Sequence, residues 1–109
     1  MIGQDFEYIG EFKEGECSGF GKLIEKDVEI YEGSFKNNMK HGNGRQEDLS
    51  SGLQYEGSWK ENKKHGPGKV INSDKNQIIH GVWHMNQIVE VQFTTQIEAG
   101  TTDTPPTII

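Results

Sequence analysis

Apolar and polar residues alternate along this chain in short runs that recur. Tyr8, Gly10 and Phe12 share one parity, and Glu7, Ile9, Glu11 and Lys13 share the other. Tyr31, Gly33 and Phe35 stand against Glu32, Ser34 and Lys36, and Tyr55, Gly57 and Trp59 against Glu56, Ser58 and Lys60. Side chains alternate faces in a strand, so each run predicts a half-buried strand with an aromatic face, gapped at its centre, and a polar face. Seven residues after each opening position stands Gly15, Asn38, Asn62 or Asn86. Gly and Asn take positive φ most readily, as tight hairpin turns require. A return strand follows, carrying Gly19 and Gly21, Gly42 and Gly44, or Gly66 and Gly68. Mid-strand glycine costs stability, so a regular pair needs a cause. The expected cause is a neighbouring aromatic ring seated over bare backbone. On this reading Gly→Val at Gly33 or Gly57 breaks the packing.

The units open at Tyr8, Tyr31, Tyr55 and, in a worn copy, Ile79, at intervals of 23, 24 and 24 residues. Self-similarity at so short a period predicts a stacked array of small supersecondary units. Turn-like linkers at Lys26-Asp27, Ser50-Ser51-Gly52 and Ser73–Asn76 join the hairpins. No helical period runs over a useful length. The array is expected over residues 1–93, with a Thr/Pro-rich extended tail over 94–109. Ile97, Ile108 and Ile109 are the anchors by which that tail would dock on its own groove or on a partner.

Composition narrows the class. In 109 residues only 31% are hydrophobic, so the core is thin and rests on rings. A single cysteine, Cys17, excludes an intrachain disulfide and fits a reducing compartment as a small buried filler. No stretch approaches a membrane span and no charged-then-apolar leader opens the chain, so secretion is not expected. The net charge of -6 argues against nucleic acid, which needs a basic surface.

Tyr-x-Gly-x-Phe/Trp, a Gly/Asn turn and His-Gly-x-Gly recur in register, and this pattern resembles the MORN repeat. His41-Gly42 and His65-Gly66 carry the family's His-Gly. The first copy departs with Ser18, and the fourth keeps only Gly81 and Trp83 and reads as a terminal capping half-repeat. The resemblance implies an all-β fold of stacked β-hairpins forming one elongated, curved, twisted antiparallel sheet. It implies a non-catalytic scaffold or adaptor subunit, cytoplasmic or cytoskeletal, of a large assembly. A ciliary axoneme complex such as the radial spoke is the expected setting. A phosphoinositide or membrane-surface adaptor is the alternative.

Candidate chemistry is sparse. His41 and His65 occupy equivalent positions, which suggests a structural hydrogen bond within each hairpin. His80 and His84 share a strand face, but with Cys17 on a distant hairpin they do not assemble a zinc site. HGNGRQ and HGPGKV lack the remainder of a dinucleotide fingerprint. No cofactor, metal or catalytic residue is expected. Partner binding is assigned instead to an aromatic ladder of Tyr8, Phe12, Tyr31, Phe35, Tyr55, Trp59 and Trp83 along the concave side. With no second layer over a single sheet, part of that ladder should stay exposed. Lys36, Lys40, Lys60, Lys63 and Lys64 form a candidate basic edge for an acidic peptide or a lipid headgroup.

Overall fold

The computed structural model describes residues 5–96. Eight strands form one antiparallel sheet in chain order: β1 (Phe6–Lys13), β2 (Glu16–Glu25), β3 (Glu29–Lys36), β4 (Met39–Asp48), β5 (Gln54–Lys60), β6 (Lys63–Asn72), β7 (Gln77–His84) and β8 (Gln87–Gln96). The described residues hold one 3₁₀ turn, Ser73–Lys75, and no α-helix. The sheet is open and elongated, 52 × 26 × 22 Å. β8 continues past the boundary expected at 93/94, because Thr94 and Thr95 still pair with Ile79 and Ile78. Ile97, Ile108 and Ile109 lie outside the described residues.

Each hairpin closes on a two-residue turn. Glu14-Gly15, Asn37-Asn38, Glu61-Asn62 and Met85-Asn86 all have positive φ at both positions, the type I′ signature. The asparagines also join neighbouring hairpins. Asn38 Oδ1 accepts from the Cys17 amide at 2.8 Å and Asn38 N–H donates to the Cys17 carbonyl. Asn62 does the same with Lys40, and Asn86 with Lys64. Gly15 belongs to the first described hairpin, and no hairpin precedes it among the described residues.

The glycines fall into a line. Gly10, Gly21, Gly33, Gly44, Gly57, Gly68 and Gly81 are successive cross-strand partners over β1 to β7. The two glycines of each return strand have different causes. Gly44 is bare because a Cβ there would overlap the Tyr31 hydroxyl and ring. Gly42 has φ 84° where the ladder slips register, a left-handed residue at a bulge.

The hairpins bend along this glycine line. Phe35 pairs with Lys40, and Glu29 lies six residues back along β3, about 20 Å in a straight strand. Yet Lys40 Nζ donates to both Glu29 carboxylate oxygens at 2.6 and 2.7 Å. Only a sharp fold at the Gly33–Gly44 crossing brings the two arms of the hairpin together. The rings lie inside that fold.

Candidate functional site

The seven rings expected as a ladder form a single file, but the file is core. Phe12, Tyr8, Phe35, Tyr31, Trp59, Tyr55 and Trp83 meet in that order, edge to face, with centres 5.0–5.2 Å apart and planes at 77–89°. Such contacts contribute about 0.5–1.5 kcal/mol each beyond area burial. The Tyr8, Tyr31 and Tyr55 hydroxyls donate to the carbonyls of Glu11, Ser34 and Ser58. Trp59 Nε1–H donates to the Gly44 carbonyl. Tyr31 is 0% exposed, and Tyr8, Phe35, Tyr55, Trp59 and Trp83 are all buried. Six of the seven rings are therefore core, and the exposed part of the ladder is smaller than expected, because the bent hairpin arms supply the missing second layer. Phe12, at the end of the file, is 49% exposed and keeps an open face.

Charges seal the fold over the rings. Lys40 and Glu29 are both buried, and the Lys40 ammonium also stands 5.3 Å from the Tyr31 ring centre and 5.1 Å from that of Trp59. Gln46 Nε2 donates to Glu29 at 2.7 Å. Burial pushes the Glu29 carboxyl up, but hydrogen bonds with Glu25, Lys40 and Gln46 and the charge of Lys40 outweigh it, holding the group below its ordinary range. Glu25 is held above its ordinary range, first by its hydrogen bond with Glu29 and then by burial and the neighbouring charge. Burial raises the Tyr31 phenol and pushes that of Tyr55 up to about 12. It also raises the buried Cys17 thiol, which suits a filler rather than a nucleophile.

The lysine edge is thinner than expected. Lys40 is withdrawn into the ion pair with Glu29. Lys64 lies over the Tyr55 ring at 5.4 Å and burial lowers its pKa. Lys36, Lys60 and Lys63 remain exposed beside the turns. The histidines also differ from expectation. His65 Nδ1 is buried with no hydrogen-bond partner. His80 stacks on Phe93 at 4.1 Å, whereas His84 meets His65. The described residues contain no group of three or more side chains suited to a metal.

The accessible feature is on the polar face. A groove of about 750 Å³ crosses β2 to β7, lined by Phe20, Glu32, Asn43, Arg45, Glu56, Pro67, Lys69 and His80, with Gly44, Gly57 and Gly68 contributing bare backbone. Its charges are in register. Glu32, Arg45, Glu56 and Lys69 are successive cross-strand partners, so the signs alternate from β3 to β6, with Lys22 paired to Glu32 beside the groove and His80 to Lys69 at its far end. Glu56 lies 3.4 Å from Arg45 and 3.6 Å from Lys69. Arg45 is exposed and Glu56 and Lys69 are half-buried, so the pairs keep solvent contact, add little stability and leave the charges available to a ligand. The source is readable in the repeat: an acid follows the opening tyrosine of units two and three, and a base follows the second return-strand glycine of units one to three. Neither signal marks a groove until the register aligns them.

The MORN repeat family model matches residues 8–24, 31–47 and 55–77. Alsin from Rattus norvegicus, Mus musculus and Homo sapiens is 37% identical over 43 residues, 39% of this chain. The chain spans about 3% of the length of these relatives.

Proposed function

From the membership of this chain in the MORN-repeat family, we propose that it is a non-catalytic scaffold subunit that holds an extended segment of a partner protein in the polar-face groove. MORN repeats form a non-enzymatic repeat family associated with protein and membrane interactions. The observation that carries the reading is the groove itself. It crosses six strands and is lined by side chains of both signs, beside a core that buries every ring of the file but Phe12. Strands lie about 4.8 Å apart, so like charges recur about every 10 Å along it. An extended segment in the polyproline II conformation, with three residues per turn and about 3.1 Å rise per residue, meets that spacing with a charge at every third residue on one face.

The test is affinity isolation from native material with the full chain and with an Arg45→Glu/Lys69→Glu variant. Loss of the co-purifying partner, with an unchanged circular dichroism spectrum, supports the groove. Undiminished recovery would overturn it. Flotation with phosphoinositide liposomes at physiological salt separates the membrane alternative, for which only Lys36, Lys60 and Lys63 of the lysine edge remain exposed. The cellular setting we propose, a ciliary axoneme complex such as the radial spoke, rests on family resemblance alone. Localising the tagged full chain in ciliated cells tests it.

A further inference from the structure

The two outer strands of the sheet are unlike. Among the described residues β1 and β8 each pair on one side only, and an open strand edge is a template for another chain. β1 is guarded by Glu7, Glu11 and Lys13. β8 is ten residues long, with one charged side chain, Glu90, and no lysine or proline. Ile88, Val89, Val91 and Phe93 all stand exposed on it. Native proteins blunt long apolar edges with charge or proline, or cover them. β8 is not blunted in either way.

The rest of the fold shows how such an edge is used. β2, β4 and β6 hold the same place in their units as β8, and each takes the next strand along its outer edge, over residues 19–25, 42–47 and 66–72. Each does so although it shifts register against its own hairpin partner, as β8 also does. The matching stretch of β8 is residues 90–96. Charge limits what can cover it. Residues 5–35 carry nine acids against three lysines, whereas residues 77–96 carry Glu90 and no other formal charge. A second copy arriving head to tail would set Glu7 and Glu11 beside Glu90. It would also bring Gly15 to Ile88, whose counterparts Cys17, Lys40 and Lys64 are each held by a turn asparagine. Glycine has no side chain for that bond.

We propose that β8 pairs antiparallel with β8 of a second copy, about a two-fold axis at Phe93. The register is self-complementary, as a two-fold interface requires. It sets Glu90 opposite Gln96, Val91 opposite Thr95 and the two Phe93 rings side by side, with no like charges opposed. Phe93 already stacks on His80 at 4.1 Å, so four rings continue across the axis on the polar face. His80 stands at one end of the polar-face groove, and the pairing brings two such grooves end to end across two eight-stranded sheets. The acidic β1–β2 hairpins then lie at opposite extremes of the assembly, where their mutual repulsion is least.

The test is sedimentation equilibrium of the full chain over a wide range of concentration. A mass of two chains that falls towards one on dilution is expected. Phe93→Lys puts two ammonium groups at the axis and should weaken the dimer at least about tenfold, because like charges facing across an interface cost that much or more. Gln96→Glu sets carboxylates opposite Glu90 and should also weaken it. Adding Glu90→Lys should restore it, since each facing pair then has opposite signs. A single-chain mass at every concentration overturns the proposal. So does a dimer untouched by Phe93→Lys, or a loss from Gln96→Glu that the double exchange fails to recover. Circular dichroism checks that each variant folds; if Phe93→Lys does not, the exchange at Glu90 and Gln96 decides.

Discussion

Gly44→Ala is the smallest change that challenges the packing rule. The added methyl would overlap the Tyr31 hydroxyl and ring carbons. Tyr31 is fully buried, with Phe35 and Trp59 against it edge to face, so it has no vacant space to enter. Overpacking of this kind costs about 1–3 kcal/mol. A displaced ring also loses the hydroxyl bond to the Ser34 carbonyl, and an unpaired buried hydroxyl adds about 1–3 kcal/mol. Replacing glycine lowers the entropy of the unfolded chain, which offsets about 0.4–1 kcal/mol. The net loss is about 2–4 kcal/mol, a fall of roughly 10 °C or more in midpoint for a chain of this size. Thermal and urea unfolding followed by circular dichroism measure it. Tyr31→Leu supplies the control, because a shortened side chain vacates the space the methyl needs. The double variant should be more stable than the sum of the single losses by at least about 1 kcal/mol. A Gly44→Ala protein as stable as the parent, or strictly additive losses, would refute the seating of tyrosine over glycine.

Other consequences are equally direct. Asn62→Gly keeps the left-handed turn but removes the side-chain bond to the Lys40 amide, so urea unfolding should show a loss of about 0.5–1.5 kcal/mol. Gly15→Asn should be close to neutral in the same assay, since among the described residues its hairpin has no earlier neighbour to hold. Glu25 has a raised folded-state pKa, so its contribution to stability is present below the unfolded value and lost as pH rises through the folded one. Glu25→Gln should therefore raise the melting midpoint near pH 7 and give little gain in acid; an equal gain at both pH values would exclude the carboxyl pair. Tyr31 and Tyr55 phenols, both raised by burial, should resist ionisation in an alkaline absorbance titration until the chain unfolds.

Much of the fold was legible in the sequence, because a hairpin array writes each local rule several times. Tyr-x-Gly-x-Phe/Trp announced strands by parity, and Asn38, Asn62 and Asn86 announced turns by their tolerance of positive φ. The same asparagines held more than was read from them: each of Asn38, Asn62 and Asn86 also grips the hairpin before it, which their tolerance of positive φ does not announce. Burial of the rings was not legible. Parity tells which face a side chain takes, but not that the strand folds at Gly33 and Gly44 and closes its own arms over that face. Lys40 was misplaced for the same reason. A lysine beside a turn reads as surface until Glu29, far off along the strand, is folded against it. The groove and the facing pair His65 and His84 depend on register between repeats, which aligns Glu32, Arg45, Glu56 and Lys69 from separate units and is invisible to a reading along one strand.

Both tryptophans of the protein, Trp59 and Trp83, belong to the ring file and are 4% and 5% exposed. Acrylamide quenching of the native chain's fluorescence thus reports on the sealed fold with no other tryptophan to confuse it. Blue-shifted emission and weak quenching that become strong only in denaturant are predicted for rings closed between bent hairpin arms. Red-shifted emission quenched as readily in the native chain as in the unfolded one would mean that the rings stand open to solvent, and that the hairpins do not fold over them.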